Sequence, residues 1–309
     1  MQPSTFRGVY AILVTPFDTS GALDEASLRR CVEFCVAGGA SGIVTPVNAS
    51  EFTTLTDAER ARIAAITVEQ TARRIPVVIG VTGASTHHAM VLAQTAAACG
   101  ADALIAMPPY VRKSNLTEQE IYDYYAALAR AARLPIVVQD YIAPVGTPIS
   151  IALLIRLFNE IDEVCYLKEE SSLAGQKMTQ LLEQAHGQIG GIMGGAAGRF
   201  LLDEYRRGAV GTMPACEVVD LHAQLWRLLE SGDEATARAF YMRLLPLLNM
   251  EALYSFTLYK EVLCRRGIIA TTFSRMPGAG TLDRYDHLEL DAILAELGPL
   301  FTVREAPIL

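Results

Sequence analysis

Lysine is scarce in this 309-residue chain. It occurs only at positions 113, 168, 177 and 260, among 26 basic residues that are otherwise arginine. The distinction is chemical: a neutral lysine amine can add to a carbonyl and form an imine, whereas a guanidinium stays protonated and cannot. Lys168 ends the apolar run Val164-Cys165-Tyr166-Leu167, which has the character of a buried strand. Low-dielectric walls around a strand end disfavour the ammonium and leave an amine able to attack a ketone. The competing role is an ion pair with Glu169, Glu170 or Glu51. Lys113 falls in a polar loop, Lys177 in the helix after Lys168 and Lys260 in an expected surface helix, so solvated charges are expected at all three.

Eight short β-branched runs supply the strands that would position such a lysine: residues 9–14, 42–46, 76–81, 103–107, 135–139, 164–168, 189–193 and 209–213. Helical spacing follows each run, as in Leu28, Cys31, Val32 and Cys35. Thr56-Asp57-Ala58-Glu59 and Thr117-Glu118-Gln119-Glu120 have the form of helix caps. The pattern predicts a (β/α)8 TIM barrel with a C-terminal helical extension. A doubly wound sheet fits less well, because no GxGxxG turn follows the first run. Strand signals cease near Val218, and helices are expected at 222–230, 234–248 (with Pro246 near its end), 252–265 and 286–297. The expected division is a barrel over 1–217 carrying the active site and a helical region over 218–309 packed on it.

A barrel of this kind places its chemistry at the C-terminal strand ends. The polar residues there are Asn48-Ala49-Ser50-Glu51, Tyr110, Gln139-Asp140-Tyr141, Lys168-Glu169-Glu170-Ser171 and Gly194-Gly195. Composition narrows the partners. A net charge of −8 argues against nucleic acid and anionic lipid, and 51% hydrophobic with 19% charged residues excludes disorder. No apolar run approaches the ~18 residues of a membrane span, and the N-terminus lacks the pattern of a signal peptide. Six dispersed cysteines without a CxxC pair suit buried thiols in a reducing cytoplasm, not a metal site.

The chain resembles the dihydrodipicolinate synthase/N-acetylneuraminate lyase family along essentially its whole length. The resemblance is carried by residues 8–17 (GVYAILVTPF), 42–51 leading into 55–60 (LTDAER), 76–83, 107–110 (MPPY) and 166–171 (YLKEES). It implies a (β/α)8 barrel, an imine between Lys168 and the keto group of a small-molecule 2-oxo acid, no metal or organic cofactor, and a homo-oligomer, dimer or tetramer. It also implies a substrate-carboxylate loop at Asn48, Ala49 and Ser50, where the family usually reads GTTGE. Asn48 and Ala49 replace its two threonines, leaving the Asn48 amide, the Ser50 hydroxyl and backbone N–H groups as carboxylate ligands. Glu51 matches the family glutamate and is expected to serve in structural hydrogen bonding.

Three further departures bear on function. The family's YNxP motif supplies a proton-relaying tyrosine, but here Gln139 takes that place and Tyr141 follows two residues later, on the same face if the strand continues. The arginine that synthases carry just beyond has no match, and the second aromatic of the family's PYY loop is Val111 after Tyr110. This combination resembles the branch that includes 2-keto-3-deoxy-L-arabinonate dehydratases. The sequence therefore reads as an imine-forming lyase acting on a 2-oxo acid by dehydration or aldol cleavage. Dihydrodipicolinate synthesis and a non-catalytic 2-oxo acid sensor are the alternatives. Gln139 cannot exchange protons near neutral pH, which leaves Asp140, Glu169, Glu170 or water to carry them. Gly194 and Gly195 are expected to let backbone N–H groups approach substrate, while His87, His88 and Arg199 are assigned to helix starts or surface.

Overall fold

The computed structural model describes residues 6–111, 114–141, 146–185, 187 and 189–304. Eight parallel strands close into a barrel in sequence order: β1 (Gly8–Ile12), β2 (Gly42–Thr45), β3 (Val77–Gly80), β4 (Ala103–Ala106), β5 (Ile136–Tyr141), β6 (Val164–Glu170), β7 (Gly191–Gly194) and β8 (Gly211–Thr212). β5 and β6 run two residues beyond the sequence expectation. Their ladder pairs Gln139 with Lys168, Asp140 with Glu169 and Tyr141 with Glu170. β8 is shorter than expected; Pro214, just beyond it, has no N–H to extend a ladder.

Period-two alternation sorts the strand residues. Tyr10, Ile12, Val44, Val78, Ile105, Val137, Tyr166 and Met193 fill the barrel interior, while Leu104, Val138, Leu167 and Ile192 face the surrounding helices. Phe6 stacks on Tyr166 with ring centroids 5.0 Å apart, and its N–H donates to the Tyr166 hydroxyl at 3.0 Å. The lower end is thus packed with aromatic rings, and the cleft forms at the opposite end.

The helical ring comprises α1 (Glu25–Ala37), α2 (Asp57–Thr71), α3 (Thr86–Ala98), α4 (Glu118–Ala132), α5 (Ile151–Glu160), α6 (Ala174–Gln184), α7 (Leu201–Arg206) and α8 (Val219–Glu230). Thr56 and Thr117 each form a reciprocal capping box with the glutamate three residues on. α8 packs against β1 and α1, so the eighth helix of the ring lies beyond the expected division at 217/218.

Three helices follow: α9 (Glu234–Tyr254), α10 (Phe256–Arg265) and α11 (Arg284–Leu297). α9 continues through Pro246 instead of ending beside it. An interior proline costs about 3 kcal/mol, and burial of Leu244, Leu247, Leu248 and Met250 on the core offsets it. The break falls at Ser255, whose φ of 46° is in the left-handed region and turns the chain into α10. Among the described residues, no helix is long and apolar enough to cross a membrane.

Candidate active site

Lys168, third from the end of β6, is only 3% exposed. Its Nζ lies 3.0 Å from Oε2 of Glu170, the next residue on the same inward face. Gln139 from β5 donates its Nε2 to the same oxygen at 2.7 Å. The other oxygen accepts the Ala196 N–H at 3.1 Å. The Glu170 carboxylate is therefore fixed at both oxygens beside the amine. Alternation separates the other acidic candidates: Asp140 and Glu169 face outward.

That outward pair corrects the expectation for Lys177. Its ammonium, held on α6, is bonded to Asp140, donates to the Ile149 carbonyl at 2.6 Å and lies 3.7 Å from Glu169. Burial, with the Asp140 charge beside it, pushes Glu169 up to about 7. Lys260 is a second correction. It is 1% exposed and pairs with Glu51, and donates to the Phe273 carbonyl at 2.7 Å. Glu51 also accepts from the Ser274 hydroxyl at 2.7 Å and from the Arg275 and Met276 N–H groups at 2.9 Å. Removing one member of a buried pair costs about 3–5 kcal/mol, so this cluster pins the loop after β2 to the C-terminal region. Lys113 lies outside the described residues.

Above Lys168 opens a cleft of about 370 Å³, bordered by Ile12, Asn48, Ala49, Tyr141, Glu170 and Met213 from the barrel, and by Glu251, Ser255 and Tyr259 from α9, α10 and the turn between them. Asn48 and Ala49 thus lie on it. Ser50 is buried behind, and its hydroxyl donates to the Leu13 carbonyl at 2.5 Å, so it braces the loop rather than facing the cleft. Tyr110 packs edge-on against Phe52, with centroids 5.7 Å apart, and does not border the cleft.

Gly194 ends β7 and Gly195 follows it, and both pack closely against carboxyls. A Cβ on Gly194 would overlap the Glu204 carboxylate, and one on Gly195 would overlap Glu170. Their missing side chains make room for these carboxyls. Burial, reinforced by the Glu170 charge, pushes Glu204 up to about 8. Ala196 and Ala197 form the adjoining cleft wall, both in the left-handed region with φ of 49° and 58°. Arg199 is a further correction: it borders the cleft, with Nε bonded to the Ala196 carbonyl at 3.2 Å. His87 and His88 lie in the first turn of α3, as expected.

Sequence reading missed Arg199, Glu251, Ser255 and Tyr259 as cleft residues. Two of them, Glu251 and Tyr259, come from helices whose apolar periodicity reported only packing, and Ser255 from the turn between those helices. Tyr141 borders the cleft from the inward face of β5, and burial, with the Glu170 charge added, raises its hydroxyl above the ordinary range. Among the carboxylates of the described residues, the one in ion-pair contact with Lys168 is Glu170, at 3.0 Å.

A closed (β/α)8 barrel holding a nearly buried lysine against a carboxylate at a strand end has the arrangement that an imine-forming, class I lyase requires, and the relatives of this chain are lyases of that class. The chain belongs to the dihydrodipicolinate synthetase family, whose model matches residues 5–297. It is 33% identical over 296 residues to the L-2-keto-3-deoxyarabonate dehydratase of Azospirillum brasilense, covering 95% of each chain. Against the 4-hydroxy-tetrahydrodipicolinate synthase of Chlorobium chlorochromatii, identity is 29%, covering 87% of this chain and 90% of that one. The crystal structure of dihydrodipicolinate synthase from Rhodopseudomonas palustris superimposes with a TM-score of 0.87 at 25% identity, covering 96% and 99% of the two chains.

Proposed function

We propose that this lyase dehydrates a 2-keto-3-deoxy sugar acid through an imine on Lys168, with Glu170 carrying the protons. The observation that bears the reading is the 3.0 Å contact between the Lys168 amine and a carboxylate fixed on both oxygens. Glu170 takes a proton from the ammonium, and the free amine adds to the C2 ketone. The resulting carbinolamine hydroxyl leaves as water, protonated by Glu170, to give the imine. The imine then draws electrons from C3. Glu170 accepts the C3 proton, an enamine forms, and the enamine pair expels the C4 hydroxyl, which departs as water with that same proton. Hydrolysis of the unsaturated imine returns Lys168. Atoms balance as substrate to unsaturated 2-oxo acid plus one water.

Gln139 serves this scheme without exchanging a proton, since its amide N–H holds Glu170 in place. Asn48 and Ala49 at the cleft mouth are the proposed site of the substrate carboxylate. Tyr141 is assigned to the wall that orients the substrate. The similarity to the Azospirillum dehydratase supports the water-loss reaction over condensation. We further read the chain as a cytoplasmic homo-oligomer, a reading supported by free thiols at all six cysteines and by exposed apolar side chains such as Leu173 and Leu253.

Incubation with a panel of 2-keto-3-deoxy pentonates and hexonates, read by mass spectrometry, tests the reaction. The expected product is the acid less one water. Pyruvate plus an aldehyde would instead assign aldol cleavage, and turnover only with pyruvate and aspartate semialdehyde would assign synthesis.

A further inference from the structure

The cleft has an acidic wall that the proposed reaction does not use. Glu251, one turn before the end of α9, borders it and is 2% exposed. Beside it lies Glu217, fully buried in the turn after β8. Among the described residues, no other side chain donates a hydrogen bond to either carboxyl. Burying two carboxyls together is unfavourable unless they share a proton or meet a ligand. Burial pushes Glu217 up to about 7, and the Glu217 charge adds to burial in raising Glu251. Arg199 already places a cation on this wall, so the complementary ligand group is neutral and polar. A hydroxyl fits, because it can donate to a carboxylate and accept from a carboxylic acid.

We propose that Glu251, backed by Glu217 and flanked by Ser255, binds a hydroxyl beyond the reacting carbon and so selects 2-oxo acids with a hydroxylated tail. The assignment rests on the imine-forming reading above. It makes the C-terminal helices part of substrate selection, while the barrel strands carry the chemistry.

Borohydride trapping, measured against ligand concentration by intact mass, separates the two claims. In the wild-type enzyme, 2-keto-3-deoxypentonate is expected to half-saturate labelling at a concentration about ten-fold below that of 2-oxopentanoate, which has the same length without hydroxyls. Glu251→Met is expected to erase that difference while leaving pyruvate labelling unchanged, which also certifies its fold. Glu251→Gln, which keeps a donor and an acceptor, is expected to retain most of the preference. Equal half-saturation of the two five-carbon acids in the wild type overturns the assignment without reference to any variant. So does an undiminished preference in Glu251→Met. Failure of every acid to label the wild type overturns the imine reading itself, and this assignment with it.

Discussion

Lys168→Ala is expected to lower turnover by roughly four orders of magnitude, the scale seen when a covalent nucleophile is removed. The loss should appear in kcat, because the imine is the electron sink on which every later step depends. The fold should survive. Breaking a buried ion pair costs about 3–5 kcal/mol when a charge is left uncompensated. Here Glu170 would still accept from the Gln139 amide and the Ala196 N–H, which reduces the penalty. Thermal unfolding should therefore show a modest shift beside an almost complete loss of activity. Turnover within ten-fold of wild type would place the nucleophile elsewhere.

Glu170→Gln is expected to have the second largest effect, lowering kcat by about 10²–10⁴-fold, the usual contribution of a positioned acid–base group. The substitution preserves volume and one of the two accepting oxygens but cannot take up the C3 proton. Pyruvate should still be trapped on Lys168 by borohydride, because imine formation can proceed slowly with water moving the protons. The signature is thus a split between adduct formation, which persists, and dehydration, which fails. Undiminished dehydration in Glu170→Gln, with a large loss in Tyr141→Phe, would move the proton transfer to Tyr141, which borders the same cleft.

Much of this arrangement is legible in the sequence, and the reasons are physical. An apolar run ending in lysine can be read because strand burial and a terminal polar group leave a local trace, and β6 ends within two residues of the expected position. The (β/α)8 count follows from local periodicity in the same way. Selection among Asp140, Glu169 and Glu170 required that β5 and β6 continue past Gln139 and Lys168, since alternation then puts Glu170 with Lys168 and both Asp140 and Glu169 on the opposite face. The shorter expected strands concealed that continuation.

Contacts between distant segments left no comparable trace. Lys260 was expected in solvent because a lysine on an amphipathic helix usually is, but its partner Glu51 lies 209 residues away. Glu251 and Ser255 reach the cleft because α9 runs through Pro246 to Tyr254, whereas local propensity favours an earlier stop. Gly194 and Gly195 were expected to admit substrate to the backbone. Sequence could not tell a substrate from the carboxyls of Glu204 and Glu170.

The central claim, that Lys168 forms an imine with a 2-oxo acid, is tested most directly by borohydride reduction in the presence of pyruvate, followed by proteolysis and peptide mass spectrometry. The account predicts one stable adduct per chain, on the peptide containing Lys168, and none in Lys168→Ala. An adduct confined to Lys113, Lys177 or Lys260, or no adduct with any 2-oxo acid tried, would contradict it.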